Sequence, residues 1–290
     1  MTNFSKGIIT TSLGSLWWGI LGVLYFRYIS FAGHIEVVAH RCIWTALILF
    51  ITTSYFKKWY LVLEIFNNKK KLFLLFITGL LILTNWTVWI YAVSINKIID
   101  ASFGYFVFPI LNVFFGYIFF KEELNKRRIF SIILVIFSIL YMLYSFNSFP
   151  WIGLSVALSW SIYNLIRKKI NVETEVGLFI ESLFILPIAI ICFYFIYQNN
   201  VNDFNLSNPS LMIILFLAGP MTLIPLFLHV RGVELSGLGP SGMIFFITPS
   251  CQFLLGFFYY NEPFTLNKFL SFILIWIAVS IYIRDLYEKN

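Results

Sequence analysis

The sequence is poor in charged residues and in cysteine, and both shortages exclude whole classes of protein. Charged residues make up 11% of the 290 residues, against roughly a quarter in soluble globular domains. An ordinary soluble fold is therefore excluded, because too few charges are present to cover its surface. The three cysteines, Cys42, Cys192 and Cys251, form neither a disulfide framework nor a set of metal ligands at the usual spacing. We expect no metal and no cofactor.

Catalytic and nucleotide-binding motifs are also missing. The sequence contains no HExxH segment and no Walker glycines followed by Lys and Ser or Thr. Its aspartates, Asp100, Asp203 and Asp285, fall at the ends of apolar runs or between them. We therefore expect a protein that is not an enzyme, and we expect ATP-driven activity only with another subunit.

Long apolar runs dominate what is present. Hydrophobic residues make up 60% of the chain and aromatic residues 20%, and the mean hydropathy is +0.87. A run of about 20 apolar residues can cross the ~30 Å hydrocarbon core of a bilayer as a helix. The pattern predicts an all-α integral membrane protein with ten transmembrane helices. The predicted spans cover residues 7–27, 34–55, 71–94, 100–120, 129–147, 150–167, 176–197, 209–230, 238–260 and 267–284.

The distribution of lysine and arginine predicts the orientation. With ten spans, alternate connections lie on the same side of the membrane as both termini. Those connections and the termini carry most of the basic residues: Lys6, Lys57, Lys58, Lys69, Lys70, Lys71, Lys121, Lys126, Arg127, Arg128, Arg167, Lys168, Lys169, Arg231, Arg284 and Lys289. The opposite connections hold only Arg27, Lys97 and Lys268. The positive-inside rule therefore predicts cytoplasmic termini in a bacterial inner membrane, and the net charge of +7 points to lipid headgroups rather than to nucleic acid.

An internal repeat is visible when the sequence is shifted by 140 residues. Four positions then coincide with similar or identical residues: Pro109 with Pro249, Asn112 with Gln252, Gly116 with Gly256 and Glu122 with Glu262. The repeat predicts two five-helix domains, 1–147 and 148–290. Because five spans is an odd number, the second copy must enter the membrane in the opposite direction, as in the inverted repeats of many secondary transporters.

Ionisable residues inside the predicted spans require an explanation, because burying a charge in a bilayer is costly. The second span contains Glu36, His40 and Arg41, and the shift places Arg41 on Glu181 of the seventh span. One hypothesis is that each charge holds a gate. Arg41 would pair with an outer acid (Glu36, Asp100 or Glu262) and Glu181 with an inner base (Arg167 or Arg231), while Glu122 mirrors Glu262 in the first half. The alternative is that these side chains extend to the nearer interface.

Polar and aromatic residues near the centres of spans are candidates for a substrate cavity. They are Asn85, Trp86, Trp89, Tyr105, Asn112, His229 and Gln252. Their alternative role is packing between helices, where amides can satisfy one another. Trp17, Trp18 and Trp160 lie near span ends and are assigned to the aromatic belt at the membrane surface.

Proline and glycine of the repeated motif are candidates for helix breaks or hinges. These positions are Pro109, Gly116, Pro249 and Gly256. A proline inside a helix leaves one carbonyl without its donor, so the helix bends or opens there.

Several segments together resemble one known family. They are Asn85-Trp86, Ile90-Tyr91-Ala92-Val93, residues 100–106, Pro109-Ile110-Leu111-Asn112, Phe120-Lys121-Glu122, His40-Arg41-Cys42-Ile43-Trp44 and Arg167-Lys168-Lys169-Ile170. In combination these segments resemble the RarD subfamily of EamA permeases, within the drug/metabolite transporter superfamily. The resemblance implies a ten-helix inner-membrane permease of two inverted repeats that works by alternating access. The chain departs from the usual pattern at Asn261, which precedes Glu262 in place of a glycine.

The expected function is secondary transport, with export of a small organic metabolite or drug-like solute. The expected partners are membrane lipid and a small-molecule substrate, and the oligomeric state stays open. Titration of Glu36, His40, Glu181 or His229 would permit proton coupling, and facilitated diffusion fits the sequence equally well. The alternative function is a lipid flippase or scramblase, because a hydrophilic groove between the halves would give a similar pattern.

Overall fold

The computed structural model describes residues 2–95, 98–143, 150–259 and 266–289, and these residues form helices without any strand. The first helix has three parts: α1 (Asn3–Leu16), a π-helical segment (Trp17–Gly22) and α2 (Val23–Tyr28). The other helices are α3 (His34–Tyr55), α4 (Trp59–Phe66), α5 (Lys69–Ser94), α6 (Ile98–Phe120), α7 (Lys126–Leu143), α8 (Trp151–Ile170), α9 (Thr174–Gln198), α10 (Pro209–Phe216), α11 (Ala218–Ser236), α12 (Leu238–Ile244), α13 (Ile247–Phe258) and α14 (Leu266–Lys289).

The helices are apolar on the outside as well as on the inside. On α7, for example, Ile133, Phe137 and Leu140 expose more than half of their surface. A helix that is apolar all round suits lipid, where backbone groups must be satisfied within the helix itself. In the described residues, seven helical stretches are long and apolar enough to cross a membrane. They are Asn3–Tyr28, His34–Tyr55, Lys69–Ala92, Thr174–Gln198, Pro209–Ser236, Leu238–Leu255 and Phe269–Glu288. The predicted class, a helical membrane protein, is confirmed.

Close helix contacts depend on small residues. A side chain at Gly104 of α6 would lie 2.4 Å from the carbonyl oxygen of Gly153 on α8, and one at Gly232 of α11 would overlap Thr11 of α1. Helices in lipid associate through such packing, because lipid tails are as apolar as leucine. Helix α1 therefore packs along α11, α6 along α8, α3 along α9 and α7 along α14.

Only one of the two predicted proline breaks interrupts a helix. Pro249 has no N–H to offer the carbonyl of Phe245, and that oxygen accepts a bond from the nearer N–H of Thr248 at 2.9 Å. The chain accordingly changes from α12 to α13 at this point. Pro109, by contrast, lies inside the uninterrupted α6, so the helix does not open there, and a bend at Pro109 stays a prediction. At Pro109, α12 braces α6: a side chain at Gly242 would lie 3.2 Å from the Pro109 carbonyl oxygen.

The predicted glycine hinges have a different outcome. Gly116 is also inside α6, and a side chain there would lie 2.5 Å from Oε2 of Glu122. Gly116 thus provides room for a carboxylate and does not break the helix. Gly256 belongs to α13, but its surroundings lie outside the described residues.

Candidate binding site

A cleft opens where the π-helical segment and helices α3, α5, α6, α8 and α13 meet. Its cavity volume is about 40 Å³, enough for a few water molecules, so a larger solute requires the walls to move apart. The residues that line it are Trp18, Gly22, Phe26, Arg41, Asn85, Trp86, Trp89, Tyr105, Trp160, Phe245, Thr248 and Gln252. Both halves of the sequence contribute to this lining.

Aromatic rings form most of the walls. Trp18 stands nearly perpendicular to Trp160, with ring centroids 5.6 Å apart, and it also meets Phe245 at 6.0 Å. The π-helical segment brings Trp18 to this place because α13 packs tightly against it. A side chain at Gly19 would lie 2.7 Å from Cβ of Cys251. Wide π-helical turns are frequent at functional sites, since they redirect side chains without ending the helix.

Amide and hydroxyl groups interrupt the aromatic walls. The Nδ2 group of Asn85 donates to the carbonyl of Val156 at 3.0 Å and to Oγ of Ser159 at 3.1 Å, so α5 is fixed against α8. Thr248 donates its hydroxyl to the carbonyl of Ser15 at 3.0 Å. These bonds orient the polar groups before any ligand arrives.

Arg41 brings a positive charge to the cleft. Its side chain is only 4% exposed, and its Nε donates to Oγ1 of Thr222 at 2.9 Å. The guanidinium carbon lies 4.6 Å from the ring centre of Phe26 and 4.7 Å from that of Trp86. Two aromatic faces thus hold the cation in place.

The predicted pair between Arg41 and Glu36 is wrong. Both oxygens of Glu36 accept the N–H of Asp203 at 3.0 Å, and Oε1 also accepts the N–H of Phe204 at 3.0 Å. The carboxylate of Glu36 is therefore bound by backbone N–H groups of the connection before α10. The other acids proposed as partners of Arg41 cannot be compared, because Glu262 and the side chain of Asp100 lie outside the described residues.

His40 belongs to the same region as Glu36. Its Nε2 lies 3.6 Å from Oε1 of Glu36, and its Nδ1 lies 3.0 Å from Nε1 of Trp44. Because indole nitrogen can only donate, Nδ1 of the ring must accept, which places the proton on Nε2. His40 and Glu36 therefore link the start of α3 to the connection before α10.

Glu181 lies in a second buried polar group, between α5, α8 and α9. It accepts the hydroxyls of Thr78 at 2.6 Å and Tyr163 at 3.1 Å, and it lies 3.4 Å from Nε of Arg167. The absence of a side chain at Gly177 makes room for the guanidinium. Of the two bases proposed as partners, the structure brings Arg167 to Glu181. Arg231 instead forms an exposed pair with Glu234 at 2.9 Å.

Glu122 joins three segments at the end of the bundle that carries both chain termini. Its carboxylate lies 2.8 Å from Nζ of Lys168 and accepts the N–H groups of Leu238 and Gly239, each at 2.8 Å. The connection before α12 can approach so closely because Gly237 adopts a positive φ of 101°. The end of α6 is thereby fixed to the end of α8 and the start of α12.

Two of the predicted cavity residues lie away from the cleft. His229 is fully buried, and its Nε2 lies 3.1 Å from Oδ1 of Asn164, behind the wall formed by Trp18 and Trp160. Asn112 is also fully buried and faces Gly242 of α12. Both residues lie where α6, α8, α11 and α12 pack together. A polar residue that is buried in the bundle therefore does not have to line the cleft.

The sequence reasoning also missed part of the lining. The predicted position of Trp18 and Trp160 in the membrane belt is wrong, because both residues line the cleft. Phe26 and Phe245 carried no signal, since phenylalanine is abundant throughout the chain. The sequence does carry a sign that Trp18 faces the interior, since Gly19 and Gly22 follow it closely and small residues beside a large ring indicate close helix packing.

Comparison with known proteins gives a consistent family. The EamA-like transporter family matches residues 5–144. A Vibrio cholerae protein named "Uncharacterized transporter" is 33% identical over 97% of this chain and 92% of its own length. The Escherichia coli "Protein RarD" is 31% identical over 97% of this chain and 94% of its own length.

More distant proteins extend the same similarity. The Bacillus subtilis "Uncharacterized transporter YojE" is 29% identical over 96% of this chain and 93% of its own length. A solved structure, described only as "Crystal structure of protein", has a TM-score of 0.66 at 14% identity and covers 96% of both chains, which shows a shared fold. With relatives above 30% identity over nearly its whole length, this chain is a RarD-type member of the EamA-like transporter family, a multi-pass membrane permease.

Proposed function

We propose that the chain is a secondary transporter that exports a small organic solute through the aromatic cleft by alternating access. The observation that carries the proposal is the cleft itself, which lies between helices of both halves and combines aromatic walls with a few fixed polar groups. Sites of this composition are typical of small molecules. The relatives named as transporters support the same class of activity.

We propose further that the chain consists of two inverted five-helix repeats with ten spans and cytoplasmic termini in a bacterial inner membrane. Helices cover each of the ten predicted runs when α1 is taken with α2, α10 with α11 and α12 with α13. The pairing of helices supports the repeat. Helix α1 packs along α11, and α8, its counterpart after the 140-residue shift, packs along α5, the counterpart of α11.

Residue contacts support the repeat in the same way. A side chain at Gly79 would contact Ile185, and a side chain at the equivalent Gly219 would contact Thr45, which is the equivalent of Ile185. The charges correspond as well. Arg41 on α3 binds a threonine of α11, and Glu181 on α9 binds a threonine of α5.

The polar contacts near Glu122 and Glu181 support a closed gate at the end of the bundle that carries the termini. Glu122 with Lys168 and Glu181 with Arg167 each connect helices that would have to separate for a solute to leave on that side. Alternating access then requires these contacts to exchange with others at the opposite end. Proton coupling through Glu36, His40 or Glu181 is one way to drive the exchange, and flux under an imposed and then collapsed pH gradient tests it.

The test is solute counterflow in proteoliposomes with a variant that fills the cleft. Gly22 lines the cleft, and a Cβ there would meet its nearest atoms at an ordinary 3.6 Å, so the helix accepts a side chain at this position and the ring of Gly22→Phe would fill the cleft. Gly33→Phe is the matched control, because a Cβ at Gly33 has nothing within 4 Å. We expect protein-dependent counterflow of labelled metabolites that Gly22→Phe abolishes and Gly33→Phe retains.

Two results would contradict the proposal. One is full counterflow through a folded Gly22→Phe protein, which would exclude the cleft as the route. The other is translocation of labelled lipid in the absence of any solute flux, which would assign the chain to lipid movement instead.

A further inference from the structure

Among the buried charged side chains of the described residues, Arg41 differs from the others because no group in that part of the chain balances its charge. Arg167 has Glu181 at 3.4 Å, Arg128 has Asp285 at 2.8 Å, and Glu36 has backbone N–H donors. Arg41 forms no ion pair within the described part of the chain, although it is as deeply buried as the others. A buried cation without an anion is costly in a membrane protein and is retained where it has a function.

We propose that the cleft binds the carboxylate of a small organic acid through the guanidinium of Arg41. This inference rests on the proposed function, because it names the class of solute that the same cleft carries. The anion that Arg41 lacks in the protein is then supplied by the ligand.

The geometry of Arg41 suits this role. Its Nε is occupied by Thr222, and within the described residues its two terminal nitrogens form no hydrogen bond. The planar edge formed by two parallel N–H groups matches the two oxygens of a carboxylate. The rings of Phe26 and Trp86 both lie against the guanidinium, so little side-chain freedom is lost when the ligand binds.

The rest of the lining selects the body of the ligand. Trp86, Trp89, Trp18 and Trp160 offer aromatic and apolar surface. No acidic residue is among the described lining residues, so an ammonium group would have no anionic partner there. The site therefore favours an aromatic or apolar monocarboxylate over an amine or a zwitterion of the same size.

Binding of matched probes to the purified, detergent-solubilised full chain tests the inference. The probes are phenylacetate, the neutral phenylacetamide and the cation phenethylammonium, and tryptophan fluorescence or calorimetry measures their dissociation constants at neutral pH. We expect phenylacetate to bind at least about tenfold more tightly than phenylacetamide, because charge-assisted hydrogen bonds are roughly twice as strong as neutral ones. Phenethylammonium should bind most weakly.

Variants assign the preference to one residue. Arg41→Gln should remove the preference for phenylacetate over phenylacetamide, and Arg41→Lys should keep only part of it, since lysine lacks the planar fork. Arg284→Gln is the matched control, because Arg284 is exposed and far from the cleft. Equal binding of phenylacetate and phenylacetamide to the unaltered protein would overturn the inference, as would a folded Arg41→Gln protein that keeps the preference. Tighter binding of phenyl phosphate than of phenylacetate would overturn the assignment to carboxylates.

Counterflow of the same probes separates this inference from the proposed function. If labelled phenylacetamide and phenylacetate move at equal rates, with or without Arg41, the permease stands and the acid preference falls. If no probe moves although phenylacetate binds in an Arg41-dependent manner, the binding site stands and the transport proposal falls.

Discussion

Replacing Glu181 by alanine tests whether the buried polar group between α5, α8 and α9 supports the fold. The carboxylate is 2% exposed and accepts the hydroxyls of Thr78 and Tyr163. It is also the counter-charge of Arg167, which is 3% exposed. Alanine removes both acceptor sites and leaves a buried guanidinium without its anion.

The magnitude follows from that uncompensated charge. Removing one partner of a buried ion pair costs about 3–5 kcal/mol, most of it from the charge left behind. Replacing both partners with apolar side chains is often nearly neutral for the same reason. The double variant Glu181→Leu with Arg167→Met should therefore be more stable than Glu181→Ala alone, although it carries one more substitution.

The assay is equilibrium unfolding of the protein in mixed detergent micelles, followed by circular dichroism. Glu234→Gln is the control, because its pair with the half-exposed Arg231 should contribute no more than about 1 kcal/mol. The reasoning is refuted if Glu181→Ala changes the free energy of unfolding by no more than Glu234→Gln does. It is also refuted if the double variant is less stable than the single one.

Three further predictions concern packing and the connection before α10. Gly104→Val should destabilise the protein by about 3 kcal/mol or more in the same assay, because its Cβ would lie 2.4 Å from the carbonyl oxygen of Gly153, whereas Gly33→Ala should be neutral. Glu36→Gln should raise the rate of amide hydrogen exchange at Asp203 and Phe204 by about tenfold or more, because hydrogen bonds to a charged group contribute about 1.5–3 kcal/mol. Unchanged exchange at these two amides would contradict the role of the Glu36 carboxylate as their acceptor. Burial, and after it the charge of Glu36, raises the pKa of Asp203, so the ionised form of Asp203 is disfavoured in the folded protein. Asp203→Asn should therefore raise the melting temperature slightly at pH 7. This gain should disappear as the pH falls through the pKa of Asp203, because the native carboxyl is then neutral as well.

The class of the fold could be predicted because lipid imposes it. Every crossing segment must be an apolar helix of sufficient length, so composition and run length were enough. The change from α12 to α13 one turn before Pro249 follows from the hydrogen bond that proline cannot donate. Pro109 has the same chemistry, yet α6 continues through it, as α9 does through Pro187 and α11 through Pro225.

Which side of each helix faces the cleft was harder to predict. In a soluble protein the polar face marks the outside, but here the lipid side and the core side are equally apolar. Asn85, Trp86 and Trp89 line the cleft and share one helix, and their part in a substrate cavity stays a prediction. His229 is polar as well and yet lies behind the wall formed by Trp18 and Trp160, where its Nε2 meets Oδ1 of Asn164, and polarity alone does not separate the two positions.

The three donors around Glu122 have a consequence for motion at that end of the bundle. Lys168 and Leu238 donate to Oε1 of this carboxylate and Gly239 donates to Oε2, so one side chain connects the ends of α6 and α8 with the start of α12. If this end opens as the proposed alternating access requires, α6 can leave α8 and α12 only after all three bonds have been broken.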